Sequence, residues 1–427
     1  MNVLRKLTIN LNFEYIQIPK MAYKNLLPLY LIGFYPIALT LGTLISESFT
    51  VILSLLFLYE CIKNKKIFFV KDKIIYFLLI IWLYLLFNLF ISIDFKLSFN
   101  RSIFFIRHIL LILSIAYFFT KYPKEVEIVF KIWMITILIT ILDLYVQFFF
   151  GQNILGFKSP WDSRLSGFFN QELKVAHLLI GFFLPSFAFY LGKNKKNVYL
   201  FISFVLYFSI LLLTNERANI IRGTLAIFIF LIFLPYFKTK IKIIFCSSLV
   251  IIFCLILFYA KPVKDRFLQE ISNMDVNNSL ANYVILSNYG PHYLTSFEIF
   301  KKNMLFGTGI KTFRVSCKNV SIEKYYENND VLPRMGCGTH PHQYYFELFS
   351  DLGLIGFIIF VLFFIYIIFR IINGFLLSKN LVLLSTSVFF ITQLIPFLPT
   401  GSFFTSFGST IFFINLGLIF NYIKKKN

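Results

Sequence analysis

The residues best suited to chemistry lie in Thr339–Gly356, at the end of the only long polar segment of the chain. Two of the five histidines, His340 and His342, stand there, directly before a helical pattern that runs into an unbroken apolar stretch. A neutral imidazole at such a boundary can take a proton from an alcohol near neutral pH. The plainer reading is that both histidines only cap the next helix. Glu347 follows in the first turn, either as an acid favoured by the helix dipole or as a group that orients a histidine. A second chemical group is cationic. Arg217 occupies the short turn Leu-Thr-Asn-Glu-Arg-Ala-Asn, and Arg222 follows just over one helical turn later. Guanidinium suits bidentate phosphate recognition, so the pair reads as an anion site. The competing reading is two snorkelling arginines, with Glu216 as a partner. Arg164 opens a similar polar segment, Arg164–Glu172, in which Gly167 permits a turn.

The elements that must hold these groups are membrane helices. The chain has 427 residues, 58% hydrophobic and 14% charged, and its mean hydropathy is +0.76. A soluble domain carries about 25% charge. The composition therefore predicts an all-α polytopic membrane protein without a large soluble core. No small-residue cleavage site follows the first apolar run, which is expected to stay as an anchor. The net charge of +21 does not indicate nucleic acid, because the lysines cluster between apolar runs, where topology signals belong.

Spans are expected near 27–44, 47–63, 73–93, 101–120, 125–150, 175–192, 197–214, 219–237, 241–260, 343–370, 379–396 and 404–423. This makes about twelve helices in a single membrane domain, 1–427, with a long loop, 261–342, before the tenth. With the N-terminus inside, the inner connections and both termini hold roughly 22 Lys and Arg, against roughly 7 in the short outer connections. An even number of spans with both ends cytoplasmic follows. The outer face then collects the 151–174 loop, the 214–219 turn, the long loop and the 396–402 turn.

Inside the long loop, Pro291–Lys302 has helical apolar spacing and reads as an amphipathic helix on the membrane or on the bundle. Leu305-Phe-Gly-Thr-Gly-Ile310 then breaks the pattern and is too short for a phosphate loop. Cys317 and Cys337 share this loop. In an oxidising compartment they can close a disulfide worth roughly 2–4 kcal/mol; the alternative is two free thiols. Cys61, Cys246 and Cys254 read as packing residues, and no metal-ligand spacing is present. After His342, Gly353 and Gly356 offer a small-residue face for close helix contact.

Taken together, these segments resemble the O-antigen ligase and O-antigen polymerase superfamily. The likeness rests on Arg164–Glu172, Thr214–Arg222, Leu305–Arg314 and Thr339–Gly356. The last is similar to the family's signature of His-Asn followed by spaced glycines, with Gln343 in place of Asn. The resemblance implies a membrane glycosyltransferase that needs no metal and no cofactor. Its donor would be a glycan on undecaprenyl pyrophosphate, and its acceptor a lipid A core or a growing glycan. His342 matches the family's general base and Arg217 its pyrophosphate-binding arginine. Where ligases carry a second arginine upstream of the Phe-Gly-x-Gly element, this chain has Tyr289, with His292 close by. Arg314 and Arg266 are the substitutes that the chain offers. Ligase and polymerase differ in the acceptor, and the single late loop inclines the reading to ligase.

The chemistry fits the residues without the resemblance. Diphosphate is a good leaving group once cations hold its charge, and an alcohol needs a base. Asp162 and Glu172 are the only nucleophile candidates and neither has an activating partner, so a one-step inverting displacement is expected. A flippase or transporter for a lipid-linked sugar is the competing class. It would place ionisable groups in mid-span or break helices in matching halves. This chain has few, with Glu60, Arg107 and His108 close to span ends or within a turn or two of the middle, Asp143 within a span, and no paired halves. A sensor or scaffold whose loop binds a partner is the third reading, and it leaves the clustering of arginine and histidine unexplained.

Overall fold

The computed structural model describes residues 25–69, 71–161, 163–194, 198–235, 237–272, 284–326 and 336–423. The basic N-terminal segment, Asp162, part of the 193–196 connection and the 424–426 lysines lie outside the described residues.

Apolar runs with few breakers fold as helices, and no strand occurs among the described residues. In chain order the first helices are α1 (Leu27–Gly33), α2 (Tyr35–Leu41), α3 (Thr43–Lys63), α4 (Lys73–Phe90), α5 (Phe95–Ile103), α6 (Ile106–Lys121) and α7 (Glu127–Phe150). Then follow α8 (Val175–Lys193), α9 (Val198–Leu213), α10 (Arg217–Phe233), α11 (Thr239–Tyr259) and α12 (Lys261–Ser272). The polar segment contributes α13 (Gly290–Lys302) and α14 (Phe313–Ser316). The chain closes with α15 (Tyr344–Ser378), α16 (Leu381–Gln393) and α17 (Ser406–Ile423).

Among the described residues, eight helical runs are long and apolar enough to cross a membrane, with α5 and α6 counted as one. The other expected spans correspond to α9, α10, α16 and the broken pair α1/α2, which are shorter. Helix α17 is 89% buried over its most apolar window and α8 78%, so these two form the centre of the bundle. Helix α11 is only 6% buried and lies at the periphery. Two of the ionisable groups near the spans, Glu60 and Arg107, are ion-paired. Glu60 meets Lys121 at 2.7 Å and Tyr117 at 2.7 Å, and Arg107 meets Glu47 at 2.9 Å. Asp143 accepts from the backbone N–H of Ile154 at 2.9 Å and from Asn153, so it pins the following loop.

The expected helix after His342 forms, but α15 is broken at Gly353, where φ is 66° and ψ −168°. The freed backbone groups are taken by the Leu305-Phe-Gly-Thr-Gly element. Leu354 N–H donates to Met304 O at 2.8 Å, Ile355 N–H to Leu305 O at 3.2 Å, and Gly309 N–H to Asp351 O at 2.8 Å. A Cβ on Gly353 would stand 2.5 Å from the Gly307 nitrogen, so two glycines meet backbone to backbone. Gly353 thus serves a helix break, while Gly356 keeps the role of close contact, facing Tyr84. The amphipathic helix α13 packs on the bundle: Tyr293 stacks on Phe346 at 4.5 Å and Phe300 meets Phe349 at 4.9 Å.

Candidate functional site

Three chain segments bring arginines to the same end of the bundle, and one buried side chain joins them. Asn215 is fully buried, has φ 56°, and sits in the turn between α9 and α10. Its Nδ2 donates to Ser163 O at 2.9 Å and to Pro262 O at 3.1 Å. Ser163 adjoins Arg164, Asn215 precedes Arg217 by two residues, and Pro262 opens α12, which carries Arg266. Asparagine tolerates the left-handed conformation that this turn needs. A second brace holds the Arg164 loop: Gln147 Oε1 accepts from the N–H groups of Ser166 at 3.0 Å and Gly167 at 2.8 Å.

The result is a group of cations close enough to feel one another. Burial, then the charges of Arg164 and Arg217, lower the pKa of Arg266 to about 10. Burial also lowers that of Arg164, opposed by Tyr289 and Glu216. Glu216 is the acid of this region, and burial pushes its carboxyl up to about 7. It accepts from Asn219 at 2.7 Å and sits at the N-terminus of α10. A half-neutralised acid among arginines leaves the cluster positive at neutral pH.

Arg222 is placed differently from Arg217. It is 2% exposed and its guanidinium donates to Leu398 O at 3.1 Å, to Pro399 O and to Asn219 Oδ1 at 3.1 Å. It ties α10 to the 394–402 turn rather than facing an open site.

The histidines form the neighbouring group. His342 has φ 58° and its ring lies 4.1 Å from His340, 5.1 Å from His292 and 5.4 Å from Tyr289. Neither His340 nor His342 caps α15. Gln343 does, with Oε1 accepting from Tyr345 N–H at 2.6 Å and Phe346 N–H at 3.3 Å. This cap frees the histidines from the helix end. His292 Nδ1 pairs with Gly336 O at 3.1 Å and His340 Nδ1 with Thr339 Oγ1 at 2.8 Å. Burial lowers His342 to about 4, helped by His292. It lowers His340 to about 3, helped by His342, Lys311, His292 and Arg314. Burial also lowers His292. All three imidazoles are neutral at neutral pH. Among the described residues, no group of three His, Cys, Asp or Glu has the arrangement of a metal site.

Tyr289 lies between the two groups, near Arg164, Arg222 and Arg266 and with its ring centroid 5.4 Å from that of His342. The 394–402 turn connects them mechanically. Thr400 N–H donates to His342 O at 2.7 Å, next to the carbonyls that hold Arg222.

The same turn corrects the reading of Glu347. Glu347 does not meet a histidine: its carboxylate accepts from Ser402 Oγ and from Phe403 N–H at 2.7 Å, with Lys311 Nζ at 3.9 Å. It is 1% exposed and locks the base of the histidine segment. Arg314 is exposed, and its charge reaches His340. Cys317 and Cys337 are disulfide-bonded, with Cα atoms 5.1 Å apart. Glu172 pairs with Lys174 at 2.5 Å.

Sequence reasoning named arginines and histidines that the structure brings to one end of the bundle, but not the bracing roles of Asn215, Thr400 and Ser402 or the capping role of Gln343. Only Gln343 carried a local signal, an amide directly before a helical run.

A protein-family model described as O-antigen ligase matches residues 202–361. That span takes in Arg217, Arg266, the glycine element, all three clustered histidines and the α15 break, but not Arg164. No curated protein matches the chain.

Proposed function

We propose that this chain, whose residues 202–361 match a family model described as O-antigen ligase, transfers a glycan from undecaprenyl pyrophosphate to a sugar hydroxyl. Members of that family are membrane glycosyltransferase-like enzymes. The observation that carries the reading is the meeting of a positive arginine group and a neutral histidine group through Tyr289. The donor's diphosphate binds at Arg217, Arg164 and Arg266, whose charge stabilises the leaving group without a metal. The acceptor hydroxyl lies against His342. The acceptor oxygen bonds to the anomeric carbon, the bond from that carbon to the phosphate oxygen breaks, and the electron pair leaves with undecaprenyl pyrophosphate. The acceptor proton goes to an imidazole nitrogen of His342. With no enzyme nucleophile in the scheme, the anomeric configuration inverts.

His342 is a weak base before the donor arrives, because its pKa is near 4. A bound diphosphate would favour the imidazolium and raise that pKa toward the value that suits proton transfer. His340 and His292 flank His342, and the charge of Arg314 reaches His340. The protein resides in a bacterial inner membrane, with both termini cytoplasmic and the site on the periplasmic face. It acts as a single membrane domain with the 261–342 loop covering the sugars, and the acceptor is the lipid A core. The ion pairs of Glu60 and Arg107, and the hydrogen bonds by which Asp143 pins the following loop, argue against a transport path through mid-span acids.

The test is the surface-glycan profile of a deletion strain beside a strain carrying His342→Ala. Bare lipid A core with long polymer accumulating on the carrier is expected in both. Core capped with a single repeat unit would make the protein a polymerase of the same superfamily. An unchanged profile with no lipid-linked intermediate would reject the transferase reading.

A further inference from the structure

Lys311 is a buried cation that the reaction as written above does not use. It is 7% exposed, follows the glycine element and has φ 66°. Its backbone N–H donates to Asp351 Oδ2 at 2.8 Å, and the carbonyl before it, Ile310 O, accepts from Ser98 Oγ at 2.9 Å. The main chain here is thus fixed to α15 and to α5. The side chain reaches a third segment, where Nζ donates to Ser402 Oγ. An ammonium cannot accept a hydrogen bond, so the Ser402 hydroxyl is left to donate, and it does so to Glu347 Oε1. Phe404 N–H donates to the same hydroxyl oxygen at 3.2 Å. The chain of bonds therefore runs one way, from Lys311 through Ser402 to Glu347. Burial lowers the pKa of Lys311, opposed by Glu347 and Asp351. An apolar side chain can often replace a buried ion without loss of stability. It could not direct the Ser402 hydroxyl.

Ser402 belongs to the turn on which both groups of the site hang. Leu398 O and Pro399 O hold Arg222, on the helix that also carries Arg217. Thr400 N–H holds His342 O at 2.7 Å. Phe403 N–H is held in turn by Glu347 at 2.7 Å. Lys311 and Glu347 anchor the far end of this turn, and the two chemical groups depend on its near end. We propose that Lys311 is a positioning residue: through Ser402 it sets the 398–403 turn, and through that turn the spacing of His342 from the arginine group. It touches neither the acceptor hydroxyl nor the diphosphate. The assignment rests on the transferase reading for the reaction it serves, but half of its test needs no transfer.

The full-length protein in lipid nanodiscs is compared with Lys311→Met, Ser402→Ala and the double variant. Hydrogen exchange read by mass spectrometry should quicken several-fold at the Thr400 amide in both single variants, and stay unchanged in α8 and α17. A variant that is merely less stable would quicken exchange across the bundle. In transfer assays Lys311→Met should lower kcat about 10–100-fold with donor KM within about threefold, since a small misplacement of a reacting group costs rate rather than donor binding. Ser402→Ala should lower kcat in the same way, and the double variant should be no worse than Lys311→Met alone. Should Lys311→Met fail to fold, with Glu347 left without its cation, Ser402→Ala tests the same link with both charges kept. An unchanged kcat, or losses that multiply in the double variant, would overturn the assignment. So would unchanged exchange at Thr400. Faster exchange confined to the turn in a protein that transfers no glycan would uphold the mount and remove the transferase reading instead.

Discussion

The arginine group and the histidine group share one end of the bundle and are built on opposite electrostatic plans. Around Arg164, Arg217 and Arg266 the braces are neutral: the Asn215 amide and the Gln147 amide hold backbone in place and cancel no charge. The acid that is present, Glu216, is held near 7 and so only partly offsets the cations. Around His342 the braces are also backbone contacts, from Thr400 and the Gln343 cap, but burial and nearby cations keep the rings uncharged. Lys311 lies near His340, and its charge is met by Glu347 beneath. In the proposed reaction one region receives negative charge and the other a proton. The difference shows that a charged site and a neutral base can sit side by side when amides and carbonyls do the positioning.

The largest test of this contrast removes the proposed base. His342→Ala should lower kcat by about 10²–10⁴, the usual weight of a general base, with little change in donor KM. Equal losses in kcat and donor affinity would merge the two regions into one. Arg217→Ala comes next, with a loss of about 10²–10³ that should be accompanied by weaker donor binding. Normal product from that variant at normal protein level would take the arginine out of the mechanism.

The pH profile sharpens the comparison further. His342 titrates near 4 in the free protein, below the usual 6.5 of histidine. The kcat/KM of the free enzyme should therefore hold as pH falls from 7 to about 5 and drop through about 4. Stability has the same sign. The unfolded chain binds protons at these histidines from about 6.5 downward while the folded chain does not, so stability should fall between about pH 6.5 and 4. A profile breaking at 6.5 would mean that the cluster is open to water. The smallest effect on transfer should come from Cys317→Ser with Cys337→Ser. Loss of the disulfide should cost about 2–4 kcal/mol of stability in the 313–337 region, with kcat and donor KM nearly unchanged.

Much of the fold was legible in the sequence because it is local. Apolar runs announced the spans, α13 showed its helical spacing, and Arg217 and His342 stood out as polar groups at span ends. What the sequence hid depends on contacts across the chain. Nothing near Glu347 reveals that Ser402 and Phe403 will claim it. Nothing near Arg222 reveals the carbonyls of Leu398 and Pro399. The turn that supplies both reads as an ordinary short connection. Gly353 was visible as a small residue, but its use as a break required seeing Gly307 pressed against it.

That break makes α15 a ruler. Gly353 is clamped to Met304–Gly309 at one end of the short upper segment, and His342 is clamped to Thr400 at the other. Adding or deleting one residue between them would turn the histidine by roughly 100° about the helix axis, since a turn takes 3.6 residues. Neither clamp could then be kept without releasing the other. The interval from His342 to Gly353 is therefore a fixed length, tolerant of many side-chain changes and of no change in count.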